Sequence, residues 1–586
     1  MPQRSELPPD TPREESDSDP LAPRQEGAAD EEMGADTESA LSGEGGIMRA
    51  AAVLALGNVA SRMLGLARET VKASLFGTSP ALSAFEIAVL VPTTLFDLLV
   101  GGMVNSALVP VFSEYALPER REELWRLAST FLSVAAVVLA LVVAVVVVFA
   151  APVAGLLGAY NLEAPGLTEL TISLVRLAAP VVFFLSISSI LTGVLYALKR
   201  FTLPAFTVAT FNGTIVAVTL LLAMRPDPPV TILVWGYLLG ALLQMALQLP
   251  GLRDARLRWN LNWRHPAIRR ILLLYAPIVA GLVINQAGVA IGYNLTTATG
   301  DSSLTYMRYA TTLYQFPLGL VVTAISIAIL PTLSQQAQGT LSVFKATLAE
   351  GLRLVLALII PAAAGLFVLA APIVALLFQY GQFTPADTDV TALVLRLFLF
   401  GLPFAAADQM LIFASYARKD TLRPALVGVI STVVYVAAAL TLPLLLRAVF
   451  PAGVATGILA QLGHVIVPGV DAPLAFYSLM LADATKHIVH TALMLVVLQQ
   501  QIGGIGGYAV LTTALKAVVG ALGMALAAAA VATLSSALLG DGGIVVRLLV
   551  VAGAAAVGLV VYAFFVLLLD IQEARLLATL LRNRLR

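Results

Sequence analysis

The chain has no cysteine in its 586 residues. That excludes disulfides, thiolate metal sites and cysteine nucleophiles. Only four histidines are present, which leaves little scope for a histidine-rich metal centre. Charge is also scarce: Asp, Glu, Lys and Arg together make up 12%, against about 25% in soluble domains. Hydrophobic residues reach 59%, and the mean hydropathy is +0.90. That much apolar surface exceeds what one core can hide, so most of it must face lipid. A soluble enzyme, a nucleic-acid binder and a secreted scaffold are excluded. No Walker loop, nucleotide fold or paired-carboxylate active site is present. Neither a nucleotide partner nor a cofactor is therefore expected, and energy must come from ions, membrane potential or substrate flow.

The net charge of zero hides an asymmetry. Residues 1–46 carry three Arg against thirteen Asp and Glu, a charge of −10 balanced by +10 in the remainder. This tail is poor in aromatic and β-branched residues and is predicted to be a disordered, acidic, cytoplasmic segment. It lacks the basic and apolar regions of a signal peptide.

A membrane span needs roughly 20 mostly apolar residues. Fourteen segments qualify: 47–76, 83–116, 124–157, 167–197, 203–224, 230–250, 266–297, 302–335, 346–378, 388–416, 422–446, 473–498, 508–538 and 543–570. Prolines inside them, among them Pro92, Pro180, Pro277, Pro317 and Pro403, predict bent helices around a cavity. Basic residues crowd the connections after even-numbered helices, as in Lys199 and Arg200, the 251–270 loop, and Arg418, Lys419 and Arg423. By the positive-inside rule both termini are cytoplasmic. The connection 499–507 has no basic residue, so it does not follow the pattern.

Tyr196-Ala197-x-Lys199 followed by Pro204-Ala205 returns as Tyr416-Ala417-x-Lys419 with Pro424-Ala425, an offset of 220. Pro110, Ser113 and Ala116 return as Pro331, Ser334 and Ala337, an offset of 221. Helices 1–6 and 7–12 are therefore two copies of one unit. Six is even, so both copies run in the same orientation, a parallel repeat. The predicted organisation is an all-α polytopic membrane protein with two six-helix lobes. The N-lobe is 47–250, a basic cytoplasmic linker 251–265, the C-lobe 266–498, and residues 499–586 add helices 13 and 14 and a basic tail.

Charges inside a membrane are costly and mark partners or pathways. Helix 1 carries Asn58, Arg62, Gly65 and Glu69 on one face, with Lys72 near the stripe and Arg68 aside. Helix 2 adds Glu86, Thr93 and Asp97. One reading is that these charges pair and lock helix 1 to helix 2. The other is a basic lining for an anionic ligand, since Arg donates in pairs to phosphate and stays charged when desolvated. Further candidates for the lining are Asn285 on helix 7 and Arg308 and Thr312 on helix 8. Asp408 on helix 10 and Asp483, Lys486, His487 and His490 on helix 12 read as an internal ion pair with cavity-facing histidines, or as an ion-coupling group.

Several motifs then converge. Ser61-Arg62-x-Leu64-Gly65-x-x-Arg68-Glu69, Phe76-Gly77, Val91-Pro92, Phe316-Pro317-Leu318-Gly319 and Phe378-x-Tyr380-Gly381-x-Phe383-Thr384 resemble signatures of the MurJ (MviN) lipid II flippases. The resemblance covers about residues 47–500. It implies outward movement of undecaprenyl-pyrophosphate-linked peptidoglycan precursor by alternating access, with no catalysed reaction, in the cytoplasmic membrane. It also makes cell-wall synthesis proteins candidate partners. Arg62 and Arg68 match two family arginines. The family's arginine on helix 8 falls at Thr312, with Arg308 one turn away on the same face. Other charged family positions fall at Ser83, Phe96 and Gly101. The substrate-binding set is thus Arg62, Arg68 and Arg308. The alternative is export of another polyprenyl-linked glycan or a small amphiphile. A membrane glycosyl-transfer enzyme would need an acidic cluster outside, and the 447–472 connection offers only Asp471 and His464.

The orientation is directly testable in this cysteine-free chain. A cysteine at residue 260, in the basic loop, should resist an impermeant thiol reagent added outside cells and react once the membrane is opened. Labelling from outside would reverse the topology.

Overall fold

Long apolar runs punctuated by Pro and Gly fold here as helices, because a backbone in hydrocarbon must satisfy its own hydrogen bonds. The computed structural model describes residues 44–224, 228–262, 264–337, 339–449, 474–540, 543–571 and Glu573. No strand occurs among them. In chain order the helices are α1 (Glu44–Phe76), α2 (Pro80–Ser113), α3 (Pro118–Val148), α4 (Leu167–Ala197), α5 (Thr207–Leu222) and α6 (Thr231–Leu252). They continue with α7 (Pro266–Thr297), α8 (Ser303–Gln336), α9 (Leu341–Val368), α10 (Pro385–Ala417) and α11 (Leu422–Val449). The last three are α12 (Leu474–Ile502), α13 (Val510–Leu539) and α14 (Ile544–Leu568).

Eleven helices are long and apolar enough to cross a membrane, and thirteen if each bent pair is one span. The expected fourteen is not reached by that measure. The fifth segment, α5, is helical but only 16 residues long. Most of the acidic tail, the 450–473 connection with His464 and Asp471, and residues 574–586 lie outside the described residues. Glu44–Gly46, assigned above to the tail, begin α1.

Two bends fall at prolines. α7 turns by 53° between Ala276 and Gly281, across Pro277, and α10 by 46° between Leu399 and Leu402, beside Pro403. α2 and α8 each contain a π-helical stretch, Asp97–Gly101 and Leu318–Val322, at the same offset of 221 as the sequence repeat. The 220 offset returns in backbone detail. Lys199 and Lys419 adopt left-handed φ values of 57° and 61° at the ends of α4 and α10. There the next residue's N–H reaches back in each copy, Arg200 to Leu195 O and Asp420 to Ser415 O. This is the Schellman way of closing a helix, which normally recruits glycine. Arg176 and Arg396 each donate to a carbonyl 29 residues earlier, Val147 O and Phe367 O.

The lobes are joined most densely at the end opposite the basic loops. The turn after α1 and the turn before α10 lie back to back, with Gln382 N donating to Ser74 O at 2.9 Å. Asp387, N-terminal on α10, closes a capping box with Thr384 and also accepts from Thr78 Oγ1 (2.6 Å) and Tyr306 Oη (2.8 Å). Tyr309 Oη donates to Gly77 O, and Ser83 and Thr305 pair at 2.9 Å. Asp301 accepts from the backbone of Glu163 and Ala164. At the basic end the ties run through α7, by Arg270 to Glu114 and Tyr275 to the Asp97 carbonyl. Burial works against ionisation of Asp254 in the basic loop. The Arg200 hydrogen bond and charge outweigh it and hold the carboxyl below its ordinary value.

α13 packs on α9, and α14 on α13, through small residues. Gly558 lies against Met524, and Tyr562 Oη donates to Ala357 O at 2.6 Å. Their other faces expose Leu522, Leu526, Val560 and Phe564, as a lipid-facing surface requires.

Gly381 has φ +57°, and a Cβ there would run into the Ser74 carbonyl. Gly381→Ala should therefore loosen this seam by about 1 kcal/mol or more. A cysteine replacing Ser83, which is fully buried, should be protected from thiol reagents in the parent chain. It should become reactive when Gly381→Ala is added.

Candidate functional site

The spacing on α1 sets the site. Arg68, Glu69 and Lys72 lie within one turn, so their side chains share a face directed at α2. Four contacts then string five charges together. Arg68 Nη2 meets Glu69 Oε1 at 2.7 Å, and Lys72 Nζ meets Glu69 Oε2 at 2.6 Å. Lys72 Nζ also meets Glu86 Oε1 of α2 at 2.5 Å, and Arg308 Nε of α8 stands 3.4 Å from Glu86 Oε2. The ladder runs from N-lobe to C-lobe, alternates in sign, and carries one net positive charge. Its centre is dry: Lys72 and Glu69 are each 1% exposed and Glu86 2%. Arg68 and Arg308, at its ends, are 15% and 33% exposed at their side chains. Asn212 of α5 accepts from Arg68 Nη1 at 3.0 Å, and the Tyr237 ring of α6 lies 5.5 Å from its guanidinium carbon.

Both readings of the charges are therefore present in part. The ladder does lock α1 to α2, through Lys72 and not through Arg62. Glu69 and Glu86 are buried beneath ion pairs and do not line open space, which corrects their assignment as cavity lining. Asp97 shares a helix face with Glu86 but lies 11 residues on, about 16 Å along the axis. Its partner is Gln286 of α7, at 3.1 Å. Thr93 and Thr312 turn their hydroxyls onto carbonyls of their own helices, Val89 O and Arg308 O. Asn58 is exposed.

Arg62 is different. Among the described residues it makes no ion pair, and its Nε is buried without a hydrogen-bond partner. Its guanidinium crosses from α1 to rest on Gly319, inside the π-helical stretch of α8, so closely that a side chain there would have to displace it. The spacing that put Arg62 near Glu69 did not decide this, because both Glu69 oxygens are taken by Arg68 and Lys72.

A second polar centre lies in the C-lobe. α7, α8, α10, α11 and α12 line a partly open cavity of about 820 Å³. Asp408, Asp483, Lys486, His487 and His490, grouped above from sequence, all line it, as does Asn285. His490 Nδ1 is 2.5 Å from Asp408 Oδ1, and Lys486 Nζ is 2.7 Å from Asp483 Oδ1. Among the described residues no three His, Asp or Glu stand as a metal-binding group. Lys72, the centre of the ladder, is marked in the sequence only by its i, i+3 relation to Glu69. Asn212, Tyr237 and Gln286 carried no signal of their own.

Two repeat-related helical lobes meeting across a charged seam, with an appended helix pair, define a polytopic membrane transporter. Comparison with known proteins sharpens this. The family model described as "Lipid II flippase MurJ" matches residues 72–552. A probable lipid II flippase MurJ of Bdellovibrio bacteriovorus is 30% identical over 508 residues, 82% of this chain and 94% of the relative. The lipid II flippase MurJ of Burkholderia cenocepacia is 30% identical over 377 residues, 63% of this chain and 73% of the relative. Among solved structures, "Lipid II flippase MurJ, inward closed conformation" aligns with a TM-score of 0.66 at 21% identity, covering 87% of this chain and 97% of the other. An inward-facing multidrug MATE transporter of the MOP superfamily aligns with 0.59 at 12% identity, covering 75% and 94%. The chain belongs to the MurJ lipid II flippase family.

The ladder predicts an order of damage. Breaking one partner of a buried pair costs about 3–5 kcal/mol. Glu86→Gln, which strips Lys72 of a countercharge in the dry centre, should lower the melting temperature more than Arg308→Ala, whose side chain is partly wet. The double variant Lys72→Met with Glu86→Leu should be less damaging than the two single changes summed. Thermal unfolding of the purified protein in detergent reads all five variants.

Proposed function

We propose that this protein moves lipid II, the undecaprenyl-pyrophosphate-linked peptidoglycan precursor, from the inner to the outer leaflet of the cytoplasmic membrane. Family membership supports the substrate, and one observation carries the mechanism. At the lobe seam, Arg62 holds a guanidinium free of any carboxylate among the described residues, beside a ladder with one net positive charge. A pyrophosphate leaving water needs countercharge that is already desolvated. Arg62 offers a whole guanidinium, and Arg68 and Arg308 offer the wetter ends of the ladder. Binding there does not require the buried Lys72–Glu86 core to open.

The basic loops mark the cytoplasmic side, and both termini lie there. The N-lobe (47–250) and C-lobe (266–498) act as the moving bodies, with the linker 251–265 between them. The end joined by Asp387, Gly77 and Gly381 is then the outer end, closed, so that the site is reached from the cytoplasmic leaflet. Outward opening requires the Ser74–Gln382 and Thr78–Asp387 contacts to break. The reaction makes and breaks no covalent bond, and no residue has a catalytic role.

Arg62→Ala should reduce flipping of lipid II in reconstituted liposomes by about tenfold to a hundredfold, the worth of one charge-assisted contact. Its melting temperature should be nearly unchanged, since no ion pair is lost. Arg62→Lys should keep part of the activity, because ammonium neutralises phosphate without the bidentate fork. Full activity of Arg62→Ala would remove Arg62 from the substrate site. Failure of the parent chain to complement a flippase-depleted bacterium, despite membrane expression, would count against lipid II as cargo.

A further inference from the structure

The C-lobe cavity borders the seam at Tyr293, Met307 and Thr311, but its own charged groups have no part in the flipping geometry. Its charges do not balance. Asp408 and Asp483 face a single permanent cation, Lys486, and Lys486 is committed to Asp483 and packed over the Tyr435 ring. With both histidines neutral the cavity carries one net negative charge. One proton on a histidine brings it to zero, the state a low-dielectric interior favours. The histidine placed to take that proton is His490, whose Nδ1 contacts Asp408 Oδ1 at 2.5 Å with both residues buried. His487 stands 3.7 Å from Asp483, a looser approach. The cavity also holds unused polar atoms. The Tyr314 hydroxyl of α8, on a residue 6% exposed, and the His487 Nδ1 are buried without a hydrogen-bond partner. Both residues line the cavity, and bound water would satisfy both atoms.

We infer that Asp408 and His490 form a single-proton site whose occupancy is read by α7. The groups facing it are Asp483, Lys486 and His487 on α12, Tyr416 on α10, Tyr435 on α11, Tyr314 on α8, and Tyr293 with Asn285 on α7. α9 packs against α10 but contributes no residue to the lining. The wall opposite the pair is the glycine stripe of α7, where Gly288 faces Thr432 and Gly292 faces Tyr435 without a side chain of their own. The 53° bend of α7 ends at Gly281 in the same wall, where nothing lies within 4 Å of the place a Cβ would take. A net negative cavity must keep water to solvate its charge. A neutralised one can lose it and let α7 settle on α11. α7 also carries the Gln286–Asp97 and Tyr275 ties to the N-lobe, so a proton bound in the C-lobe acts on the angle between lobes. The transport half of this inference rests on the flippase reading; the binding half does not.

The four histidines, His265, His464, His487 and His490, make the site measurable. The full-length protein in nanodiscs is labelled with nitrogen-15 at histidine, and the resonance of His490 is assigned by single substitutions. Asp408→Asn should lower its titration midpoint by about one pH unit or more. Exchange of potassium for sodium should leave its resonance unmoved. An unchanged midpoint in Asp408→Asn, or a sodium-dependent shift, overturns the site. Should Asp408→Asn fail to fold, His490→Gln gives the second reading. The infrared band of the Asp408 carboxyl must then respond to loss of its partner, and a band that does not change also overturns the site. In liposomes with an imposed pH gradient, lipid II flipping by the parent chain should change severalfold with the gradient, and flipping by His490→Gln should not. Equal dependence in both overturns the coupling. Absence of flipping in every form, with the His490 titration intact, instead overturns the flippase reading.

Discussion

An ammonium group held out of water must have its countercharge within reach, and Lys72 is where this protein meets that constraint. At 1% exposure it bridges Glu69 and Glu86. The pairing fixes the rotation of α1 against α2, and α8 joins through Arg308. Arg62 points away from this ladder, towards Gly319. The buried charges thus set the seam's geometry, and the charge left over gives it a sign.

The duplicated architecture explains why such a seam exists. Each copy supplies the same elements: a helix with a π-helical stretch, a left-handed lysine closing the fourth helix, and an arginine reaching a carbonyl 29 residues earlier. Equivalent surfaces meet across the interface, but the charges are not duplicated. Arg68, Glu69 and Lys72 belong to the first copy, and Asp408, Asp483 and the histidines to the second. One scaffold has come to hold two polar centres of different composition, one dominated by arginine and lysine and the other by carboxylate and histidine.

Much of this was legible in the sequence. Hydropathy located every helical segment, because a backbone in lipid has few alternatives. The fourteenth span is not confirmed at α5, whose 16 residues end before the length criterion is met. The repeat was visible through Tyr196 and Tyr416 because caps and basic anchors tolerate little change. A further copy, Ala150-Ala151-Pro152 and Ala370-Ala371-Pro372, marks the breaks after α3 and α9 and was equally readable. Side-chain partners were not. Helical spacing placed Arg62 and Glu69 on one stripe, but which cation took Glu69 depended on α2, which brings Glu86 to Lys72. Asp97 likewise found Gln286, a pairing across 189 residues that no local pattern encodes. The helix 12 cluster was legible because four polar residues at i, i+3, i+4 and i+7 on an apolar helix leave one face for them.

The contacts that hold the lobes at the end away from the basic loops consist of hydroxyls, peptide groups and two carboxylates, Asp387, fixed in a capping box at a helix start, and Asp301, which accepts from two backbone N–H groups. Membrane voltage does work only on charge that moves through the field, about 2.3 kcal/mol per elementary charge for each 100 mV. A clasp made mostly of neutral dipoles, with its two carboxylates held by hydrogen bonds, moves little charge when it opens. Electrical work falls instead on the charges elsewhere, in the ladder, in the C-lobe cavity and on the cargo, while the clasp opens or holds on hydrogen-bond geometry.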